Sequence, residues 1–313
     1  MAIINNVEEL KQTVRVNQDT LFPNWQIFLN DARDTFLVNY LGFEIVNKLE
    51  RVDPSSAAAE DEKYIKILLL ARRVLGPYAV MLSNDELSIN TGSTGHTVIK
   101  TDKLTPASDA KIAKASTSQL ERAWRNLELL LEHLEENIDD FPEWKKSRYY
   151  KNCQTTYFPS AAIFQDTGLI DIDYSRLTFE KLRQLIIRIE KSELKRFLPD
   201  AIEKIILDPN EEQKEKAVLL LEKIRAYIGA KVAELHTSSN TRIQRSKHSN
   251  LEYKAVIRPL YRDETDNNLN FYTDQAKYWE SEIVSMLPEL GYDNIGSKMD
   301  WSNEGKKIFS AIP

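Results

Sequence analysis

Chemistry in this chain would have to come from four histidines, one cysteine, a few paired acids and one basic cluster. A metal site needs His, Cys, Asp or Glu side chains at spacings that bring them to one face. His96, His133, His236 and His248 stand alone, and none belongs to an HExxH-like pair. Glu132-His133 lies among Glu128, Glu135 and Glu136 and reads as part of a solvated acidic face. Cys153 has aromatic neighbours but no Cys/His enzyme signature around it, and reads as a buried small hydrophobe. A G-x-S-x-G elbow and a Walker loop are both absent. Gly92-Ser93-Thr94-Gly95 lacks the Lys-Ser/Thr pair and following helix of a phosphate loop. Asp139-Asp140 and Asp171-Ile172-Asp173 flank breaks, where turns and caps also call for Asp. The expectation is no catalytic residue, no metal and no cofactor.

One run departs from the mildly acidic whole, whose formal net charge is −6. Between positions 242 and 262, Arg242, Arg245, Lys247, His248, Lys254, Arg258 and Arg262 face the single acid Glu252. Two readings stand. Charged edges keep an exposed hairpin from adding strands, or the run is a basic finger that meets nucleic acid or an acidic partner surface. On the second reading Arg242, Arg245, Lys247, His248, Lys254 and Arg258 form the partner-binding site.

The elements that would position such residues are helical. Phe22, Trp25, Phe28, Leu29, Ala32, Phe36, Leu37, Tyr40 and Leu41 fall three or four apart, and Gly42 ends that stripe. A short helix with Ile45, Val46 and Leu49 runs to the Asp53-Pro54 break, and a long one is expected from about Glu60 to Leu82. Two extended runs around Thr91 to Gly95 read as a hairpin, and a helix from about Ser116 to Asn137 follows. The aromatic stretch up to Ile172 reads as a segment packed back over this bundle.

The second half replays the order. Pro199 stands where Gly42 stood (199 − 42 = 157), and Ile202 and Ile206 match Ile45 and Leu49 at that offset. Beyond the shorter break at Asp208-Pro209, Leu220, Leu221, Ile224, Ile228 and Leu235 match Ile67, Leu68, Ala71, Leu75 and Leu82 (235 − 82 = 153). Alternation in Leu251 to Ile257 suggests a second hairpin with Thr241 to Gln244, and a final helix is expected near Thr273 to Leu287. The fold class expected is therefore mainly α: two tandem, internally duplicated helical-bundle domains, residues 1–170 and 171–313. Each carries a β-hairpin before its last long helix. Gly76 and Gly229, 229 − 76 = 153 apart, are expected to be packing joints where a neighbouring helix comes close.

Composition agrees with this. Only 9 glycines in 313 residues argue against a sandwich or a glycine-loop α/β enzyme. The polar start of the chain and the lack of a long apolar run predict neither a signal segment nor a membrane span.

Leu29-Asn30-Asp31-Ala32-Arg33-Asp34-Thr35-Phe36-Leu37, then Tyr40-Leu41-Gly42, and later Glu132 to Asn137 with Phe141-Pro142-Glu143-Trp144 carry a resemblance. The chain resembles an uncharacterised protein family of Bacteroides-type genomes that occurs in prophage-like gene clusters. More remotely, its first half is similar to the small helical head-tail connector proteins of tailed phages. The resemblance implies a non-enzymatic structural protein and homo-oligomeric assembly, with other phage structural proteins as partners. It implies a location in the host cytoplasm or the virion. The connectors are single short domains, so the duplication leaves any ring stoichiometry open, and a soluble adaptor for a cellular protein is the alternative.

Overall fold

Asn6 opens the first helix of the computed structural model, its side-chain oxygen accepting the Glu9 N–H at 2.9 Å. The structure describes residues 2–16, 21–54, 59–86, 89–92, 95–98, 108–153, 155–240 and 262–292. It is mainly α-helical and divides into two units, Met1–Gln154 and Thr155–Pro313.

In the first unit α1 (Val7–Lys11) is followed by α2 (Phe22–Ala32), a π-helical turn (Arg33–Leu37), α3 (Val38–Leu41) and α4 (Phe43–Leu49). Next come α5 (Ala59–Glu86), the short antiparallel strands β1 (Ile89–Gly92) and β2 (Gly95–Val98), and α6 (Asp109–Glu136). Ile89 pairs with Val98, and Gly92 with Gly95. Two short helices, α7 (Pro142–Lys145) and α8 (Arg148–Cys153), end the unit. The stripe expected as one helix from Phe22 to Leu41 is thus interrupted by a wider turn. One extra residue per turn there still leaves Ala32, Phe36, Leu37 and Leu41 buried.

Packing of α5 along α6 forms the centre of this unit. Ile67, Leu68, Ala71, Val74 and Leu75 from α5 meet Ala123, Leu127, Leu130, Leu131 and Leu134 from α6, all buried. Gly42 ends α3 at φ +81°, a conformation that suits glycine, and a Cβ there would sit 3.1 Å from the Ser147 Cβ. Buried Trp144 on α7 donates its indole N–H to the Tyr40 carbonyl at 3.0 Å, fastening α7 to α3.

Pro77 sits inside α5 without ending it. A proline has no N–H, so the Arg73 carbonyl one turn earlier loses its helical partner. Asn126 on α6 supplies the missing donor, its amide reaching the Arg73 oxygen at 3.1 Å. The central helix pair is therefore joined at the point where the helix bonding is interrupted.

The second unit contains α9 (Ala161–Gln165), α10 (Arg176–Arg188), a π-helical turn (Ile189–Glu193), a 3-10 turn (Leu194–Arg196) and α11 (Asp200–Leu207). The long helices α12 (Lys214–Asn240) and α13 (Arg262–Met286) pack along each other and complete it. Ser160 and Ser175 cap α9 and α10, accepting the Ile163 and Thr178 N–H groups. The division at Gln154/Thr155 falls ahead of the boundary expected at 170/171. The aromatic stretch expected to serve the first bundle belongs to the second unit: Tyr157, Phe158, Phe164 and Ile172 lie in its core with Phe179, Ile186 and Ile224. The expected second hairpin, 241–257, lies outside the described residues.

Candidate functional site

Gly76 and Gly229, expected to be packing joints, sit in tight places of unequal depth. A Cβ on Gly76 would lie 2.0 Å from the Thr13 Oγ1 and 2.7 Å from its Cβ. On Gly229 it would lie 3.0 Å from the Thr167 Oγ1 and 3.3 Å from Leu169. In each case the close neighbour is the threonine just past a short helix, where a neighbouring helix itself had been expected. Thr13 and Thr167 are themselves held, each hydroxyl donating to a carbonyl three residues earlier, Leu10 or Phe164, at 2.8 Å.

Polar side chains gather elsewhere in the second unit, around a cavity of about 150 Å³ between the π-helical turn, α12 and α13. Glu193 and Arg196 come from the turns, Tyr227, Lys231 and Glu234 from α12, and Thr273, Lys277 and Glu280 from α13. Phe197 and Ala276 give it an apolar wall. Two ion pairs are internal to it: Arg196 to Glu193 at 2.9 Å, and Lys231 to Glu234 at 2.6 Å. Thr273 donates its hydroxyl to Glu234 at 3.3 Å. Tyr227 is 3% exposed and its ring meets Phe197 edge-on at 5.1 Å, while its hydroxyl makes no hydrogen bond among the described residues. Burial, together with the nearby carboxylates led by Glu280, pushes that phenol well above the ordinary tyrosine range. It is a neutral hydroxyl at any physiological pH.

In the first unit, aromatic rings pack between α5, α6 and the π-helical turn. Phe36 stacks on Tyr78 with ring centres 4.1 Å apart, and Trp124 meets Phe36 edge-on at 4.8 Å. Two polar clusters of that unit are tied up in bridges. Lys48 pairs with Glu143 and donates to the Tyr64 hydroxyl at 2.9 Å, which raises the lysine above its usual range. Arg33 contacts both Glu50 and Asp34. His133 packs against Phe141, with ring centres 6.2 Å apart; burial, then Lys66, lowers its affinity for a proton. It is half-buried, with the carboxylates of Glu136 and Asp140 among the charges that act on it.

Arg242, Arg245, Lys247, His248, Lys254 and Arg258 lie outside the described residues, as does the side chain of Cys153. Among the described residues no three His, Cys, Asp or Glu side chains are grouped to hold a metal ion. No helix among them is long and apolar enough to cross a membrane. Large apolar side chains do reach solvent: Ile27 on α2, Phe43 on α4, Val218 on α12, and Phe271 and Tyr278 two turns apart on α13.

No curated protein matches the chain. No solved structure matches it. A family described as a family of unknown function (DUF6712) matches residues 39–154, ending at the last residue of the first unit.

Proposed function

We propose that the chain is one helical unit used twice, a non-enzymatic assembly protein that acts through protein–protein contacts. The form we favour is a ring or head-tail connector component of a phage or prophage particle.

Duplication is supported by equivalent bonds at nearly constant spacing. Arg72 donates its Nε–H to the Ile3 carbonyl at 2.8 Å, and Arg225 donates to the Tyr157 carbonyl at 2.8 Å. The arginines are 225 − 72 = 153 apart and their acceptors 157 − 3 = 154. Capping residues Asn6 and Ser160, and the threonines Thr13 and Thr167, keep the same spacing of 154 (160 − 6, 167 − 13). A π-helical turn precedes Leu41-Gly42 in one unit and Leu198-Pro199 in the other. Shared amphipathic pattern alone would not repeat an arginine bond to a chain carbonyl. On this reading the repeat begins at the chain start and again at about Thr155, and each copy carries a hairpin before its last long helix.

The observation that carries the functional reading is the set of large apolar side chains left in water on ordered helices of both units. Phe43 is 64% exposed and Phe271 54%. Aromatic anchors of this kind are what interfaces bury first. Head-to-tail assembly into a closed ring needs two different, complementary patches on each chain, and apolar side chains exposed on both units would supply them. The basic run with Arg242, Arg245, Lys247, His248, Lys254 and Arg258 supplies charge for an acidic partner surface; nucleic acid is the other polyanion it would suit.

Light scattering on the purified chain across a range of concentrations tests this. Oligomers of a fixed multiple of the chain mass, lost in a Phe43→Ser, Phe271→Ser variant, are the expected result. A strict monomer at high concentration would oppose the ring and favour the soluble adaptor.

A further inference from the structure

Two exposed helix faces, one in each unit, match in spacing and differ in sign. In the first unit α5 and α6 run antiparallel: Asn84 donates to the Ser116 hydroxyl at 2.7 Å, and Asn126 to the Arg73 carbonyl at 3.1 Å. That register brings Lys66, Leu69 and Arg73 on α5 level with His133, Leu129 and Asn126 on α6, with Arg122 one turn further along. Lys66, Arg73 and Arg122 are exposed, and none is in an ion pair among the described residues. Leu69 and Leu129 lie among them at 44% and 50% exposure. On this stripe of α5 the nearest acid is Glu62, a turn before Lys66, while Glu128 and Glu132 on α6 have interactions of their own. The face is apolar at its centre and positive around it.

In the second unit the first turns of α12 expose Glu215, Val218, Leu219 and Glu222. Val218 and Leu219 are 52% and 48% exposed. Cations close to these acids in sequence are engaged elsewhere: Lys214 with Glu211 and Lys216 with Glu289, each at 3.6 Å, and Lys223 with Glu282. Arg225 donates to the Tyr157 carbonyl. Glu215 and Glu222 are in no ion pair among the described residues. This face is also apolar at its centre, and negative around it.

The spacings agree. Lys66 and Arg73 are 73 − 66 = 7 residues apart, and Glu215 and Glu222 are 222 − 215 = 7 apart. Seven residues are two helical turns, about 10 Å. Each charged pair brackets an apolar residue at the third or fourth place between. Laid along each other, the two stripes put an acid on each cation and Leu69 against Val218 and Leu219.

We propose that the α5/α6 face of one chain takes the α12 face of a second copy. The inference rests on the assembly reading above and names the two different patches that head-to-tail contact needs. Burying Leu69, Leu129, Val218 and Leu219 supplies the affinity, and the charges set partner and register. Like faces repel: cation would meet cation, or acid meet acid, so two-fold pairing through either face is disfavoured.

Sedimentation velocity of the full chain over a range of concentrations and salt is the test. The natural chain should self-associate, less so as salt is added. Reversing one face, with Lys66→Glu and Arg73→Glu together, should weaken association by about tenfold or more, and so should Glu215→Lys with Glu222→Lys. Helical circular dichroism should be unchanged in both. Equimolar mixing of the two variants, or all four changes on one chain, should restore association, because every reversed face again meets its opposite; a merely damaged chain is not rescued this way. Should a reversal disturb folding, Leu129→Ser and Leu219→Ser give the same weakening at single exposed positions. Oligomers that persist in either reversed variant, or no recovery on mixing, would overturn this inference and leave the assembly reading standing. A natural chain that stays monomeric at high concentration would overturn both.

Discussion

Alanine at Gly76 and at Gly229 should have different consequences, although both glycines lie inside long helices. Either change gains about 1 kcal/mol of helix propensity. The contact terms differ. At Gly76 the new methyl would fall 2.0 Å from the Thr13 hydroxyl and 2.7 Å from its Cβ, closer than any real contact. Thr13 is 3% exposed and tied to the Leu10 carbonyl, so it cannot swing aside without losing that bond. Overpacking of this kind costs about 1–3 kcal/mol. At Gly229 the nearest atom is 3.0 Å away and needs to yield by only a few tenths of an ångström. Because the propensity gain cancels between the two variants, Gly76→Ala should be less stable than Gly229→Ala by about 1–3 kcal/mol. Denaturant unfolding gives the difference, and hydrogen exchange at 7–16 and 161–170 shows which unit loosens. Adding Thr13→Gly should recover most of the loss in Gly76→Ala. Equal effects at both glycines, or no recovery, would refute the reasoning.

Further outcomes are expected in the same two units. Asn126→Ala leaves the Arg73 carbonyl without a donor and should destabilise the first unit by about 1–3 kcal/mol; Pro77→Ala, which restores the N–H, should offset most of this in thermal unfolding. Trp144→Phe loses the bond to the Tyr40 carbonyl and should cost about 1 kcal/mol, whereas Trp144→Ala empties a buried site and should cost about 3–5. Buried Glu190 accepts the Thr156 and Tyr157 N–H groups, and burial above all raises its pKa. The folded state therefore keeps its proton at pH values where the unfolded chain has released it. The associated stability is present below the ordinary glutamate value and is lost as pH rises through the folded one. Glu190→Gln should flatten that part of the stability–pH curve, read by hydrogen exchange at 155–165; an unchanged slope would contradict it.

Much of the helical plan was legible because apolar stripes with period near 3.6 have few other uses in a chain with so little glycine. Gly76 and Gly229 stood out for a related reason: a glycine costs helix propensity, so two at one spacing point to a shared contact. What touches them was hidden, since Thr13 and Thr167 belong to short polar segments without periodicity. The domain boundary was misplaced because Tyr157, Phe158 and Phe164 announce burial without saying which core receives them. Glu190 and Arg225 decide that, through bonds to the Thr156–Tyr157 backbone. The π-helical turns were also invisible, because one added residue leaves the buried stripe intact. The cavity needs Glu193, Tyr227 and Glu280 from three separate segments, and no spacing rule links them. On the proposed duplication one signal did exist: Phe36, Val74 and Leu127 would stand where the second unit has Glu193, Tyr227 and Glu280.

An experimentally determined structure of the full chain tests the central claim most directly. The account predicts that residues 2–14, 22–49, 64–86 and 109–136 superpose, in order and direction, on their counterparts 153 to 157 positions later. Arg72 and Arg225 should donate to matching carbonyls, and the cavity beside Tyr227 should be open where Phe36, Tyr78 and Trp124 fill the first copy. Different helix connectivity in the two units, or an aromatic-filled cavity beside Tyr227, would contradict it.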